Sequence, residues 1–340
     1  MAERTPVDGG FFMPAEWAPH ERCWMAWPCR GSLWEEGLDK ARDAYAAVAR
    51  AIAGFEPVTM LANPSELEDA RTRCGAEVDC LALPLDDSWM RDFGPSFLVD
   101  GKGCLAGVDW GFNAWGNRFH PYDQDALVAE RVLAQLGVAR YRAPLVLEGG
   151  SIHVDGEGTL LTSEECLLHP NRNPDLDRTA IEDLLRRYLG IEAFVWLGQG
   201  LDKDDTDGHV DNIACFVRPG VVMAVTCDDP ADPNHAILRD NLARLAKAKD
   251  AKGRALEVIE LPLPREARYL DGQRLSLSYV NYYIANGGVV MPSFGDPQDP
   301  VALEIVAASF PGRKVAQVPA GDILVGGGGI HCITQQQPLV

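Results

Sequence analysis

The chain has 340 residues, 46% of them hydrophobic and 24% charged, ordinary figures for a soluble globular protein. A formal net charge of −19 argues against nucleic acid or an anionic membrane surface as partner and is compatible with a cationic substrate. Met1 to Gly10 lacks an apolar core, no stretch of about 18 apolar residues occurs, and nine scattered cysteines form no C-x-x-C pair. These features point to a reduced, cytoplasmic protein without a structural metal.

Taken in chain order, Asp39 to Phe55, Asp125 to Leu136, Asp177 to Leu189, Ala236 to Lys249 and Val301 to Phe310 carry apolar residues at helical spacing. Several follow an Asp suited to capping the first turn. Between them lie pairs of short apolar runs. Phe97 to Val99 turns at Asp100-Gly101 into Cys104 to Ala106, and Ile152 to Val154 turns at Asp155-Gly156 into Thr159 to Leu161. Ile213 to Val217 turns at Pro219-Gly220 into Val221 to Val225, and Val280 to Ile284 turns at Asn286-Gly287-Gly288 into Val289 to Met291. Such pairs read as β-hairpins. Hairpin, loop and helix recur roughly every 50–65 residues, in the range of solenoid and propeller repeats. A ring of modules is the favoured arrangement, because each polar motif below sits just before or at the start of a hairpin. No linker interrupts the chain, so residues 1–340 read as one domain.

Four polar clusters carry the chemistry. Asp86 to Pro95 combines three carboxylates, an Arg and a Trp, and Glu148 follows the apolar run Leu145-Val146-Leu147 beside two glycines. His153 alternates with Ile152 and Val154 and reads as one residue on a strand face. In an extended Asp204 to Asn212, Asp207, His209 and Asp211 point the same way. A Ca²⁺ loop lacks the EF-hand spacing there, and a Zn²⁺ site is short of ligands. The remaining reading is a general acid/base His beside an anionic partner. The fourth cluster is Cys332 after the run Gly326 to Gly329, a thiol nucleophile that backbone can approach closely.

A distant Cys and His suffice for thiol catalysis, and the surplus of acids calls for a planar, positive, many-donor substrate. A guanidinium is such a group, and its clamp is a set of carboxylates, here Asp92 and Asp211. Cys332 would attack the central carbon. His209 would protonate the departing nitrogen and then activate water, while Glu148 orients His209.

These segments, in this order, resemble the agmatine deiminase family of the guanidino-group-modifying superfamily. The match extends through Met13-Pro14-Ala15-Glu16-Trp17, Trp110 to Gly116 and Ser278 to Tyr283. The resemblance implies a five-bladed α/β propeller of ββαβ modules with the site on its axis. It implies Cys332 as nucleophile, His209 as acid/base, Asp92 and Asp211 as guanidinium ligands and Glu148 as the partner of His209. Agmatine and water would yield N-carbamoylputrescine and ammonia, a step towards putrescine, with no metal or organic cofactor, in a cytoplasmic homodimer. Asp86 and Trp89 would meet the substrate's far amine and alkyl stem, with Trp115 and Gly327 also in contact with it. Gly329 departs from the family, which usually has Asn two residues before His331. An amidinotransferase, a peptidyl- or free-arginine deiminase, a non-enzymatic binding propeller and a metal hydrolase are the competing readings.

Overall fold

The computed structural model describes residues 4–34 and 37–340, so the opening segment is described from Arg4 onward. Strand β1 (His20–Ala26) runs parallel to β2 (Val58–Ala62), and the helix α1 (Leu38–Ala53) joins them. Along α1 the residues Ala41, Tyr45, Val48, Ala49 and Ile52 are buried, a helical stripe laid against the sheet. The shorter α2 (Leu67–Cys74) leads to β3 (Val78–Ala82), parallel on the far side of β2.

The next four sheets repeat one pattern, an antiparallel hairpin followed by a helix and a third strand parallel to the hairpin's second. β4 (Ser96–Val99) and β5 (Leu105–Gly111) pair through Phe97 and Gly107, and α3 (Val128–Leu136) leads to β6 (Ala139–Val146). β7 (Ile152–Val154), β8 (Thr159–Ser163), α4 (Arg178–Leu189) and β9 (Ala193–Leu197) repeat it, as do β10 (Ala214–Arg218), β11 (Val221–Thr226), α5 (Pro233–Leu245) and β12 (Glu257–Pro262). A small hairpin, β13 (Tyr269–Leu270) with β14 (Gln273–Arg274), precedes the last repeat. That repeat is β15 (Tyr283–Ala285), β16 (Gly288–Ser293), α6 (Asp299–Ser309) and β17 (Lys314–Pro319), and the inserted hairpin lengthens the interval before it.

The final strand, β18 (Thr334–Pro338), is antiparallel to β1 and completes the first sheet. That sheet therefore has the same hairpin-plus-parallel pattern, its hairpin built from the two distant ends of the fold. The four turns seen in the sequence all form hairpins at the expected pairings. Asp177 and Asp232 cap α4 and α5 through the backbone amides of Ala180 and Asn234. With Asp232 as cap and Pro233 in the first turn, α5 starts before Ala236 and ends at Leu245, short of the expected Lys249.

The repeat also fixes where chemistry can gather. Each hairpin's first strand is preceded by a polar loop: Trp89 to Asp92 before β4, Glu148 to Ser151 before β7, His209 to Asn212 before β10, Ser278 to Asn281 before β15, and Ile330 to Cys332 before β18. The segment 13–17 is brought alongside at Gly156, whose φ of 72° is left-handed and where a Cβ would lie 2.7 Å from the Ala15 nitrogen.

Candidate active site

The five polar loops converge on one buried hub. Gly150 lies at its centre: a Cβ there would stand 2.7 Å from His209 Nδ1, 2.8 Å from Asp211 Oδ2 and 2.9 Å from Asp92 Oδ1. Only a residue without a side chain lets these three groups come together. The Gly150 amide also donates to Asp92 Oδ1 at 3.0 Å, and Trp115 Nε1 donates to Asp92 Oδ2 at 2.9 Å. Trp115 reaches that position from a tight left-handed stretch, in which Ala114, Trp115 and Asn117 all have φ between 51° and 63°.

His209 is fully buried between two acids, with Nδ1 3.8 Å from Asp92 Oδ1 and Nε2 3.6 Å from Glu148 Oε2. Neither contact is a hydrogen bond, so both ring nitrogens and Glu148 Oε2 are left without a partner. Arg172 braces the pair: its Nε donates to Glu148 Oε1 at 2.8 Å, Nη2 donates to the Thr206 carbonyl at 2.9 Å, and Nη1 pairs with Asp207. The stretch around His209 is not extended. Asp207 (φ 61°) and Gly208 (φ 88°) are left-handed and Val210–Asn212 is a 3-10 turn. His209 and Asp211 therefore face the hub while Asp207 turns outward to Arg172 and Arg118, which corrects the expectation that all three share one direction.

Cys332 is almost fully buried. Its Sγ lies 3.4 Å from Asp211 Oδ2 and accepts from Asn281 Nδ2 at 3.2 Å. Asn281 also accepts the His331 amide at 2.8 Å, so one side chain fixes both the sulfur and the backbone beside it. Gly329 packs against this asparagine, because a Cβ at 329 would stand 2.4 Å from Asn281 Oδ1. The carboxylate Asp211 gives Oδ2 to Cys332 and to His331 Nδ1, and its Oδ1 has no partner.

Burial, followed by the charges of Asp211 and Asp92, pushes the Cys332 thiol well above its ordinary range. Asp92 rises to about 6 through burial and the like charges of Asp211 and Glu148, against the pull of His209. Burial would lower His209, but Asp92, Cys166 and Glu148 hold it well above the usual imidazole value. Glu148 and Asp211 are buried too, yet stay below the usual carboxylate range, Glu148 through His209 and Arg172, Asp211 through His331 and His209. The result is a set of ionised acceptors with unfilled valences, a place for a multi-donor cation.

A narrow cleft leads outward from Cys332 and Asp92, walled by Trp89, Trp115 and Phe119, with Asp205 further out. Gly327 lines it with φ 101°. Asp86 does not: its Oδ2 accepts the Gln124 amide at 2.7 Å, and its own amide donates to Asp125. Besides Asp92, the carboxylate on the cavity wall is Asp205, held by Arg118 at 2.7 Å and Gln273 at 2.6 Å. Among the described residues, Glu148, Cys166 and His209 bring potential metal ligands within 4.8 Å of one another. Arg172 already places its positive charge on Glu148, which opposes a second cation there.

Sequence reasoning brought out the four loops but passed over Asn281, Arg172, Cys166, Glu16 and His331. Glu16 is buried, 3.3 Å from Arg91 Nη1, and His153, read only as a strand-face residue, approaches it at 3.4 Å. The available signal was position, since Asn281 and His331 sit in the loops that precede β15 and β18.

The family model of the Porphyromonas-type peptidyl-arginine deiminases matches residues 12–338. The agmatine deiminase of Pseudomonas aeruginosa (strain LESB58) is 49% identical, over 98% of this chain and 97% of its own length. A structure described as the agmatine deiminase of Enterococcus faecalis catalyzing its reaction superposes with a TM-score of 0.96 at 40% identity, covering 100% of this chain and 99% of the other. The C. jejuni agmatine deiminase with substrate bound superposes at 0.89 with 29% identity, covering 96% of each chain.

Proposed function

The chain belongs to the Porphyromonas-type peptidyl-arginine deiminase family, and from that premise we propose that it is an agmatine deiminase working through Cys332. Agmatine and water are converted to N-carbamoylputrescine and ammonia. The observation that carries the site assignment is the convergence of Asp92 and Asp211 beside the Cys332 sulfur, with the acceptors Asp211 Oδ1 and Glu148 Oε2 left without a donor. Buried acceptors that lack donors are costly, and a guanidinium with its five N–H groups supplies them.

Binding that cation between Asp92 and Asp211 cancels the charges that keep the Cys332 thiol protonated. The thiol releases its proton to solvent, the thiolate attacks the guanidinium carbon, and the C–N bond to a terminal nitrogen breaks as His209 delivers its proton, releasing ammonia. The S-amidino intermediate is then hydrolysed by a water that gives its proton to His209. Collapse of the tetrahedral adduct breaks the C–S bond, and the hydroxyl proton passes to the departing thiolate, which restores the thiol and leaves a ureido product. Glu148 steadies the His209 imidazolium, and Arg172 holds Glu148.

The rest of the substrate fits the cavity. The aromatic walls suit a four-carbon stem, and Asp205 offers a counter-charge for the far ammonium in exchange for Arg118. The sulfur is buried and the approach to it is walled by Trp89, Trp115 and Phe119, which favours a free alkylguanidine over an arginine within a polypeptide. We read the five sheets as the blades of a propeller whose hub is this site; the closing of the first sheet by β18 supports that reading.

The test is ammonia release from agmatine, free arginine and an arginine peptide, with Cys332→Ala as control. Release from agmatine alone, reduced by about 10⁴-fold or more in the variant, is the expected result. Equal turnover of the peptide would overturn the substrate assignment.

A further inference from the structure

Asp211 is braced from behind by a residue outside the chemical steps. Its Oδ2 lies 2.9 Å from Nδ1 of His331, and the opposite ring nitrogen lies 2.9 and 3.1 Å from the two oxygens of Glu16. All three side chains are buried. A neutral imidazole has one N–H and one lone pair, so between two carboxylates it would aim the lone pair at one of them. A ring with a donor at each nitrogen satisfies both.

We propose that His331 is a resident imidazolium clamped between Glu16 and Asp211, and that it acts as a positioning residue for the reaction. It turns the Asp211 carboxylate so that Oδ1 is left for the substrate, and it offsets the negative charge beside which the Cys332 thiolate must form. The surroundings of the ring favour this state. Glu16 is kept ionised by Arg91 at 3.3 Å and His153 at 3.4 Å, and the Phe216 amide approaches His153 Nδ1 at 3.3 Å, which leaves Nε2 of His153 as a donor towards Glu16. Opposing it are burial and Arg91, whose Nε also reaches the His331 carbonyl at 3.4 Å. The His153 ring lies alongside at a centroid distance of 6.3 Å. Against that opposition the two carboxylates prevail, and His331 is held above the ordinary imidazole value.

The placement makes mechanistic sense because one oxygen, Asp211 Oδ2, is shared by His331 and the Cys332 sulfur. Without a cation on its other side, that oxygen would repel the thiolate at van der Waals contact. The proposal rests on reading Asp211 as a guanidinium ligand, but the protonation state it asserts can be measured in the resting protein.

His331-Cys332 is the chain's one His–Cys dipeptide, so paired isotope labelling assigns it in the unaltered protein. Histidine ¹⁵N NMR should find both His331 ring nitrogens still protonated at neutral pH, where an ordinary imidazole has lost a proton. One protonated nitrogen at neutral pH would overturn the inference, whatever the protein turns over. Failure to turn over agmatine, with the NMR result intact, would instead count against the function. In Glu16→Gln the midpoint for alkylation of Cys332 by iodoacetamide should rise by about one pH unit, and kcat should gain a limb that falls as pH rises. Unchanged midpoints in a folded variant would reduce His331 to packing and sink the proposal.

Discussion

Two buried glutamate–histidine pairs make an instructive contrast, Glu56 with His20 and Glu148 with His209. Around Glu56 every valence is filled: Oε1 accepts the Tyr283 hydroxyl at 2.6 Å, Oε2 accepts the Asn286 amide at 2.6 Å, and His20 Nδ1 lies 3.1 Å from both oxygens. The other His20 nitrogen meets the Glu16 carbonyl at 2.8 Å. That pair fastens the first sheet to the last. At Glu148 one oxygen and both histidine nitrogens are unpaired, although they are buried more deeply. An orphaned buried polar group costs about 1–3 kcal/mol, so several gathered in one place call for a partner that completes them. Residue type is the same and both pairs are buried; the unfilled valences separate a clasp from the proposed reaction centre.

One isosteric change applied to both pairs gives the largest effect. Glu148→Gln still accepts from Arg172 through its amide oxygen but loses the charge that steadies the His209 imidazolium, so kcat should fall by about 10³-fold with the melting curve nearly unmoved. Glu56→Gln sets an amide N–H₂ against the Tyr283 and Asn286 donors. It should lower stability by about 2–4 kcal/mol while folded protein keeps its kcat. Matching losses of kcat in the two variants would erase the distinction.

A smaller effect comes from pH. In its proposed role as guanidinium ligand Asp92 must be ionised, and its pKa is raised to about 6, so kcat/KM for agmatine should drop about tenfold per unit as pH falls below that value. The stability linkage has the opposite sign. A raised carboxylate contributes fully below its unfolded value of about 3.8 and loses that contribution as pH rises through about 6. Resting stability and substrate capture therefore trade against each other at this residue. An acid limb near pH 4 would show that Asp92 titrates as a surface carboxylate does. Smallest of all, Trp115→Phe removes one donor from Asp92 and should cost about five- to tenfold in kcat/KM with the fold intact. An unchanged kcat/KM would show that the indole N–H is not needed to set the carboxylate.

Much of this was legible in the chain because turns and caps are local. Asp100-Gly101, Asp155-Gly156, Pro219-Gly220 and Asn286-Gly287 announced four hairpins, and Asp177 announced the start of α4. The third strands were harder to see, since a strand such as Glu257–Pro262 mixes exposed and buried positions without a clean alternation. β18 gave no apolar signal at all: Thr334-Gln335-Gln336-Gln337-Pro338 is polar in composition and wholly buried. The site divided in the same way. Cys332, His209, Glu148 and the two aspartates stood out because their loops combine charge with glycine. The service of Glu16 and Asn281 depends on partners 315 and 51 residues away, and no local pattern records such a meeting. Asp86 misled because a carboxylate near Trp89 looks like a substrate contact, whereas its oxygen is taken by the Gln124 amide.

The pairing of β18 with β1 also sets the order in which a newly made molecule can become competent. As the polypeptide emerges, β1 precedes β18 by the four repeated sheets between them, so their own sheet stays incomplete until those have been made. The acids and the histidine are already present by then, and Cys332 follows only two residues ahead of the closing strand. The proposed nucleophile thus arrives with the strand that completes the first sheet, and a fragment that stops short of that seam carries the proposed guanidinium ligands without Cys332. Arming and closure are a single event.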